Sequence, residues 1–411
     1  MGARAVSAVV VGGGVAGLAA AHRLARSGRQ VVVLEATDRL GGMVMPVELA
    51  GVRVDGGAEA FARRLGIADE LCATLGLEVA GPEGGPHIRW SVDRVWPGAD
   101  GVLGIPASPQ DPALRAALDA EELEAALAEP TLLEAIGAEA VTVGELVTAR
   151  LGQGVTDKLV APVTTGVYGM PPDQMPLAQF APRLAGPGSL YAKVAAARGS
   201  RSSVAQPVGG LFRLVEALEA DIRQHGGEIC LGHRARASDL RGVERAVIAC
   251  PARPAAELLE DFGVQVEQPA TTVSQSVLLA LEPKALEGAP VGSGVLLGQP
   301  IPGLGARALT HYSAKWPWSG GAVQVLRLSY APEATPSRGR ALVDASLLLG
   351  RPVTEVLDFR VVRWPAVPRS LTVAARGSLL AQLPGNVRVA GAWAFGNGIE
   401  AAIASGLEAA A

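Results

Sequence analysis

The stretch AVSAVVVGGGVAG, residues 5–17, predicts a buried β-strand that passes directly into a glycine turn. Its glycines match the pattern G-x-G-x-x-G at Gly12, Gly14 and Gly17. In such a turn the first glycine allows the tight bend, the second lets the backbone approach a phosphate group, and the third lets helix and strand pack closely. The pattern alone is weak evidence, because glycine is common in this chain, with 51 among 411 residues.

The residues after the turn supply the context that the glycine pattern needs. Leu18–Ser27 is predicted as a helix with a small apolar face, and Gln30–Leu34 as a second strand that ends at Glu35. Strand, turn, helix, strand and acid make a complete βαβ unit. Such a unit binds a dinucleotide: the helix N-terminus directs free N–H groups at the phosphates, and Glu35 is placed to accept hydrogen bonds from the adenosine ribose.

The residues after this acid extend the motif and indicate which dinucleotide binds. The stretch EATDRLGG, residues 35–42, fits E-x-x-x-R-x-G-G, with Arg39, Gly41 and Gly42 at the marked positions. It resembles the cofactor motif of the superfamily of FAD-dependent amine oxidases and protoporphyrinogen oxidases. The resemblance implies that the cofactor is FAD, and that the arginine and the glycine pair lie along its pyrophosphate and flavin end.

Three later segments resemble other cofactor-contacting parts of the same superfamily. DGGAEAF, residues 55–61, corresponds to a segment that passes near the flavin, and Ala235 to a residue whose backbone contacts the adenine. GAWAFGNGI, residues 391–399, resembles the last FAD motif, whose helix N-terminus stabilises negative charge on the reduced flavin. The resemblance thus implies a cofactor site formed by Gly12, Gly14, Val15, Ala16, Gly17, Glu35, Ala36, Arg39, Gly41, Gly42, Met43, Gly57, Ala58, Ala235, Gly391, Ala392, Gly398 and Ile399.

Further stretches resemble the protoporphyrinogen and coproporphyrinogen oxidase branch of that superfamily. GVYGMPP, residues 166–172, and FAPRL, residues 180–184, are similar to the branch's G-V-Y-x-G-x-P and F-P-R-L region, although Ala181 interrupts the second run. RWPAVP, residues 363–368, is similar to a stretch that begins R-W-P in the branch, and Arg369-Ser370-Leu371 departs from its longer, more aromatic continuation. The branch resemblance implies a porphyrinogen as the substrate.

The length predicts more than one domain, since 411 residues exceed what one simple core supports. We expect an α/β fold: a discontinuous Rossmann-like FAD-binding domain and an α+β substrate domain that contains a helical insertion. The FAD-binding domain is predicted to comprise residues 1–80, 205–265 and 365–411. The substrate domain is predicted to comprise residues 81–204, with the helices, and 266–364, with a sheet.

Composition excludes several classes of function. Charged residues make up 18% of the chain and the net charge is −4, so nothing indicates a nucleic-acid partner. Three scattered cysteines without a C-x-x-C predict neither a disulfide framework nor a metal site. The sequence shows no separate signal peptide and no apolar run of transmembrane length, so we expect a cytoplasmic protein and leave peripheral membrane contact open.

The carboxylates of a porphyrinogen direct attention to arginine, whose planar fork binds a carboxylate through two contacts. Arg183 in FAPRL is the chosen candidate, with a structural role in supporting the Tyr168 loop as the alternative. Tyr168, Trp393 and Phe395 are candidates to line a pocket for a flat macrocycle. If Arg183 is not the anchor, the remaining candidates are Arg53, Arg63, Arg64 and Arg89.

Three functions fit this sequence. The first is an FAD-dependent oxidase that removes six electrons from coproporphyrinogen III, or from protoporphyrinogen IX, and passes them to O2 to give H2O2 in heme biosynthesis. The second is a flavin amine or amino-acid oxidase of secondary metabolism, for which Lys315-Trp316 is a weak candidate near the flavin. The third is a catalytically silent flavoprotein that binds a porphyrin.

Overall fold

The computed structural model describes residues 6–198, 202–267, 272–319, 321–366 and 370–411. The first residue of the quoted strand and residues 367–369 of the R-W-P stretch lie outside the described residues. The strands are β1 (Ala8–Val11), β2 (Val31–Leu34), β3 (Pro46–Leu49), β4 (Val52–Asp55), β5 (Phe61–Ala62), β6 (Val79–Ala80), β7 (His87–Arg89), β8 (Val95–Pro97), β9 (Gly101–Val102), β10 (Ile105–Pro106), β11 (Val204–Pro207), β12 (Glu228–Cys230), β13 (Arg245–Ile248), β14 (Thr272–Leu281), β15 (Gly294–Leu297), β16 (Ala308–His311), β17 (Gln324–Tyr330), β18 (Asp358–Ala366) and β19 (Val387–Val389).

Helices cover both sheets and form most of the segment between β10 and β11. They are α1 (Val15–Arg26), α2 (Ile67–Thr74), α3 (Pro112–Ala117), α4 (Ala120–Leu127), α5 (Val143–Leu151), α6 (Gln153–Val155), α7 (Ala161–Tyr168), α8 (Leu177–Phe180), α9 (Leu190–Arg198), α10 (Phe212–Gln224), α11 (Ala252–Glu260), α12 (Tyr312–Lys315), α13 (Arg338–Leu349), α14 (Val373–Gln382), α15 (Ala392–Phe395) and α16 (Ile399–Ala409).

A parallel sheet with the order β12-β2-β1-β13-β19 carries the glycine turn. β1 lies at its centre, with β2 and β12 on one side and β13 and β19 on the other, so the strand order reverses at β1. In open parallel sheets ligands bind at the carboxyl ends of the strands at such a switch point. Because all strands run the same way, the turn after β1, Glu35 after β2 and Gly391 after β19 meet at one edge. The expected α/β fold with a Rossmann-like domain is confirmed.

A mainly antiparallel sheet with the order β18-β14-β17-β16-β15-β7-β8 forms the second layer. Paired residues of antiparallel strands point to the same face, so the register of β14, β16, β17 and β18 separates two faces. One face is closed by α13 and carries the apolar cluster of Leu328, Tyr330 and their neighbours. The other faces residues 45–60 of the cofactor-binding part, against which Leu278 and Val325 pack.

The sequence patterns of Val47–Val54 and His87–Val95 each predict a single strand, but both segments are in fact hairpins. Val47–Val54 divides into β3 and β4 around a turn at Ala50 and Gly51, both with positive φ, and His87–Val95 into β7 and β8. The alternation of apolar and polar residues continues across such a short turn, so periodicity alone does not reveal it. The apolar patterns also predict helices at Ile67–Leu75, Phe212–His225, Gly339–Leu349 and Glu400–Ala410, and these are present as α2, α10, α13 and α16 with ends that differ by at most one residue. The domain boundaries stay a prediction.

Candidate cofactor and substrate site

Some motif glycines are required by the protein's own packing. A β-carbon at Gly17 would lie 1.9 Å from the Gly12 carbonyl oxygen, and one at Gly57 would lie 2.0 Å from the Met43 carbonyl oxygen. Gly12 has φ +102° and Gly41 has φ +100°, a region that side chains rarely adopt. These four glycines therefore let the backbone segments around the glycine turns pack directly against one another; we call these segments the glycine cradle.

Other motif glycines border open space. A β-carbon at Gly14 or at Gly398 would meet no atom within 4 Å, and one at Gly391 would find its nearest neighbour at 3.8 Å. Each of these three residues is the N-cap of a helix, α1, α16 or α15, and none supplies a side-chain cap. An uncapped helix N-terminus presents unsatisfied N–H groups and partial positive charge. The arrangement fits a ligand with phosphate and electronegative ring atoms, which is what FAD offers.

Glu35 joins the end of β2 to the glycine turn. Its carboxylate accepts a hydrogen bond from the Gly13 N–H at 2.7 Å, and bonds from the Thr37 N–H and hydroxyl at 2.8 Å each. The side chain is half-buried, and the oxygen that accepts the Gly13 bond has a further lone pair to offer a ribose hydroxyl. Its predicted ribose contact stays a prediction, and its role in shaping the turn is an addition from the structure.

We expect Glu35→Ala to weaken FAD binding by about 1–3 kcal/mol, since it removes the charged acceptor that bonds to the turn and is expected to bond to the ribose. Isothermal titration of the apoprotein with FAD measures the loss. Asp38→Ala is the matched control, because Asp38 is an exposed acid of the same loop. Equal FAD affinities in the Glu35 variant and the control would exclude Glu35 from the site.

The residues after Glu35 build the next part of the cradle. Arg39 donates to the carbonyl oxygens of Leu40, at 3.2 Å, and Gly42, at 2.8 Å, so its guanidinium follows the backbone of the Gly41-Gly42 turn. The Gly41 N–H donates to the Gly13 carbonyl at 2.8 Å, which places this turn beside the first glycine turn. The first glycine turn and the Gly41-Gly42 turn of the extended motif therefore form one continuous surface.

The segment that contains Gly57 and Ala58 runs beside Met43. The Ala58 N–H donates to the Met43 carbonyl at 2.9 Å, so both predicted contact segments share one strip of backbone. Ala235 lies apart from this strip, in the coil after β12, half-buried against the apolar core of the parallel sheet. That coil adjoins β2, since the His233 N–H donates to the Glu35 carbonyl at 2.8 Å. Ala36 is exposed in the same region.

A charge cluster connects the Gly57–Ala58 segment to the antiparallel sheet. The Glu59 carboxylate pairs with Lys315 at the end of α12 and with Arg327 on β17, the latter at 3.2 Å. Burial alone would raise the pKa of the Glu59 carboxyl, but the two cations outweigh it and hold the pKa below its usual value. The cluster carries one more positive than negative charge, and Lys315, the weak amine-oxidase candidate, is engaged in it.

Beyond Arg327 the same face of the sheet becomes polar. The register places Thr310 of β16 opposite Arg327, and Ser276 of β14 opposite Ser329. Ser274, Ser329, Thr310 and Trp364 are partly exposed on this face. The sheet therefore offers a polar wall next to the segment at Gly57, which is where a substrate would have to lie to reach a flavin.

Helix α7 borders this wall and ends at Tyr168. Gly166 of α7 lies against Leu296 on the same face of β15, where a β-carbon would approach the leucine side chain to 3.0 Å. The Tyr168 ring is 47% exposed and meets the Phe180 ring edge-on, with the ring centroids 5.8 Å apart. Burial by its neighbours raises the pKa of the Tyr168 phenol, and the charge of Arg64 opposes this rise.

The four predicted substrate residues do not form one group. Arg183 is exposed on a short 3₁₀ turn, and no hydrogen bond or ion pair joins its side chain to any described residue. Trp393 is 2% exposed in the core under the parallel sheet, where its indole N–H donates to the Cys250 carbonyl at 3.1 Å. Its satisfied indole packs it within this core, and the expectation that Trp393 lines a macrocycle pocket stays a prediction. Phe395 is half-buried beneath the Arg376 guanidinium.

The other arginines divide into engaged and free ones. Arg53 pairs with Glu216, Arg63 binds Asp69 through two nitrogens, and Arg89 is buried and donates to backbone carbonyls. Arg64 is exposed, and within the described part of the chain its side chain has no bonding partner. Arg64 and Arg183 are therefore the arginines of these five whose guanidinium groups remain available.

Sequence reasoning missed the contacts that join distant segments, and it named Lys315 only as an amine-oxidase candidate. Arg327 and Lys315 lie 256 or more positions from Glu59, and the buried Asp55 binds the Tyr312 hydroxyl at 2.8 Å. Each is an ordinary charged or aromatic residue in its own stretch. The available signal was the acid-glycine-glycine-x-acid run at residues 55–59, in which two acids border a backbone that must stay close to its neighbour.

Comparison with known proteins identifies relatives over nearly the whole chain. A profile of an NAD(P)-binding Rossmann-like domain matches residues 10–72. A coproporphyrinogen III oxidase of Mycobacterium tuberculosis is 30% identical over 439 aligned positions, which cover 96% of this chain and 94% of the relative. A protein of the same name from Staphylococcus aureus is 26% identical over 79% of this chain and 78% of its own length.

Solved structures share the fold. A crystal structure described as a protoporphyrinogen oxidase from Exiguobacterium superposes with a TM-score of 0.78 at 24% identity, covering 99% of this chain and 98% of the other. A putrescine oxidase superposes with a TM-score of 0.62 at 14% identity, covering 98% of both chains. These likenesses confirm the FAD-dependent oxidase fold.

Proposed function

Because this chain belongs to the coproporphyrinogen III oxidase family, we propose that it oxidises coproporphyrinogen III to coproporphyrin III in heme biosynthesis. The reaction removes six electrons and six protons from the macrocycle, and three molecules of O2 take them up as three molecules of H2O2. FAD is the proposed cofactor, and when bound it supplies the two-electron acceptor for each round. The glycine cradle and three uncapped helix termini support this choice.

The observation that carries the choice of substrate is the pair of free guanidinium groups of Arg64 and Arg183. Arg64 acts on the Tyr168 phenol, and Arg183 follows Phe180, the ring that Tyr168 contacts, by three residues. Free cations combined with an aromatic surface suit a flat molecule with carboxylates at its edge. Coproporphyrinogen III carries four such carboxylates and protoporphyrinogen IX two, so the first has more partners to offer.

The proposed roles of the protein's own groups are to bind and to orient. Arg183 and Arg64 would hold carboxylates, and Tyr168 would lie along the macrocycle. The polar wall of β14, β16 and β17 would place a ring carbon beside the segment at Gly57, where the isoalloxazine is expected. We place the reaction in the cytoplasm, because Cys72, Cys230 and Cys250 are all free thiols, as is usual in a reducing compartment. No described helix has the length and apolarity needed to cross a membrane.

The deciding experiment is anaerobic mixing of the FAD-loaded protein with each porphyrinogen. We expect coproporphyrinogen III to bleach the flavin absorbance faster than protoporphyrinogen IX, and admission of air to restore it with release of H2O2. An amine and amino-acid panel tests the oxidase alternative on the same preparation. Flavin that no porphyrinogen bleaches, together with spectral evidence of porphyrin binding, would leave the silent porphyrin-binding flavoprotein as the function.

We expect Arg183→Ala to raise KM for coproporphyrinogen III more than it lowers kcat. A carboxylate anchor far from the reacting carbon acts equally in ground and transition states, so its loss of about 1.5–3 kcal/mol appears in binding. Arg183→Lys should recover part, because lysine keeps the charge without the fork. Arg115→Ala, another exposed arginine of the helical segment, is the control. A normal KM with full flavin occupancy in Arg183→Ala would exclude this anchor.

A further inference from the structure

Glu400 holds a distant backbone segment at the start of α16. Its side chain belongs to the first turn of that helix and is 4% exposed. One carboxylate oxygen accepts the Arg64 N–H at 3.0 Å, and the other accepts the Leu65 N–H at 3.0 Å. A buried carboxylate is stable here because both oxygens are bonded and because it lies at the positive end of the helix.

The segment that Glu400 holds is fixed along its backbone and free at one side chain. The preceding residue, Arg63, is pinned by two bonds to Asp69 of α2, and Gly66 follows with φ +78° as the N-cap of α2. Arg64 itself, in contrast, is exposed, and no described residue bonds to its guanidinium. Rigid backbone beneath an unpaired cation is the arrangement that a ligand anchor needs, because little freedom is then lost on binding.

We propose that Glu400 is a positioning residue, which sets Arg64 against the helix end that receives the cofactor so that a substrate carboxylate is bound there. The Gly398 N-cap of α16, predicted to contact FAD, precedes Glu400 by two residues. One helix terminus therefore positions both the cofactor and the substrate anchor. The identity of the ligand in this inference rests on the proposed porphyrinogen substrate. The link between Glu400 and Arg64 does not depend on that proposal.

Hydrogen exchange tests the link without any turnover. In Glu400→Gln the side chain keeps its shape, but its amide nitrogen faces an N–H group where an oxygen stood. We expect the Arg64 and Leu65 amides to exchange at least tenfold faster than in wild type, with exchange in α10 unchanged. Glu145→Gln is the control, since Glu145 likewise accepts two successive backbone N–H groups, of Val141 and Thr142, in the helical segment. Unchanged exchange at Arg64 and Leu65 would overturn the inference.

A double-mutant cycle tests the consequence for binding, with coproporphyrin III as the probe and its absorbance change as the readout. We expect Glu400→Gln to weaken porphyrin binding about tenfold in the wild-type background and less than twofold in an Arg64→Ala background, because a positioning residue acts through the residue it positions. In the steady state the same variant should raise KM tenfold with kcat within twofold.

The outcomes separate this inference from the proposed function. Equal losses in both backgrounds would mean that Glu400 acts on general stability, and would refute the positioning role. Glu400→Ala provides a second variant in case Glu400→Gln does not fold. If the cycle gives the expected coupling while no porphyrinogen reduces the flavin, the positioning role stands and the oxidase function fails.

Discussion

Gly14→Val should give a folded protein that binds no FAD. The new β-carbon would enter open space, since no protein atom lies within 4 Å of its position. That space is where the backbone is expected to approach the pyrophosphate. The added isopropyl group would occupy it and block the uncapped N-terminus of α1 from the phosphates. Flavin content per chain and the melting temperature of the apoprotein, measured on one preparation, check both halves of the prediction.

Gly17→Ala is the matched comparison, because it changes a glycine of the same motif for the opposite reason. Its β-carbon would collide with the Gly12 carbonyl oxygen at 1.9 Å, so the apoprotein itself should be destabilised. The crowding of a packed backbone typically costs about 1–3 kcal/mol. A Gly14→Val protein with stoichiometric FAD would show that the phosphate loop is placed wrongly.

The second large effect concerns Asp55, which we expect to make stability depend on pH. Asp55 ends β4, is 0% exposed, and accepts bonds from the Tyr312 hydroxyl at 2.8 Å and from the Leu211 and Phe212 N–H groups at 3.0 and 3.2 Å. These bonds join the cofactor segment to α10 and α12. Burial, only partly offset by these bonds, raises the pKa of the Asp55 carboxyl to about 7 from its usual 3.8.

The sign of the pH effect follows from the raised pKa. Below pH 3.8 the carboxyl is protonated in both the folded and unfolded protein, and its contribution to the free energy of unfolding is fully present. Between that pH and about 7 only the unfolded chain releases the proton, so stability falls as pH rises, and the loss is complete above about pH 7. The span corresponds to a loss on the order of 4 kcal/mol in the free energy of unfolding.

Asp55→Asn should remove this contribution, because the amide does not titrate. The difference in unfolding free energy between variant and wild type, measured by urea unfolding from pH 4 to 8, should change steadily up to about pH 7 and then level off. Taking the difference removes most of the opposite contribution of Glu59, whose lowered pKa makes its stabilisation disappear at low pH. Asp38→Asn, at an exposed loop position, is the control. Parallel pH curves for wild type and Asp55→Asn would contradict the prediction.

The βαβ unit was predictable because its information is local. Gly12, Gly14 and Gly17 lie within six positions, and the strand, helix and acid around them follow at spacings set by backbone geometry. The structure bears this out. It also shows that the glycines have different roles: Gly17 packs against the Gly12 backbone, which leaves no room for a side chain, whereas Gly14 borders open space. That division depends on which atoms face each glycine, and the sequence pattern treats the two alike.

The site around the substrate was less predictable, because its residues meet across hundreds of positions. Trp393 looked like a pocket residue within its own loop, yet the apolar core of the parallel sheet surrounds it. Arg183 was chosen from its motif, but Arg64 was one of four alternative arginines and became distinct only when folding paired Arg53 and Arg63 with acids.

The sequence by itself determined the elements whose physics is short-range: the glycine turn, the parallel strands beside it and the acid that ends β2. Only the tertiary structure decided which charges meet. Glu59 pairs with Arg327 across 268 positions, and Glu400 binds the Arg64 backbone across 336. Hydrogen bonds and ion pairs act over a few ångströms in space regardless of distance along the chain, so only tertiary packing could bring these partners together.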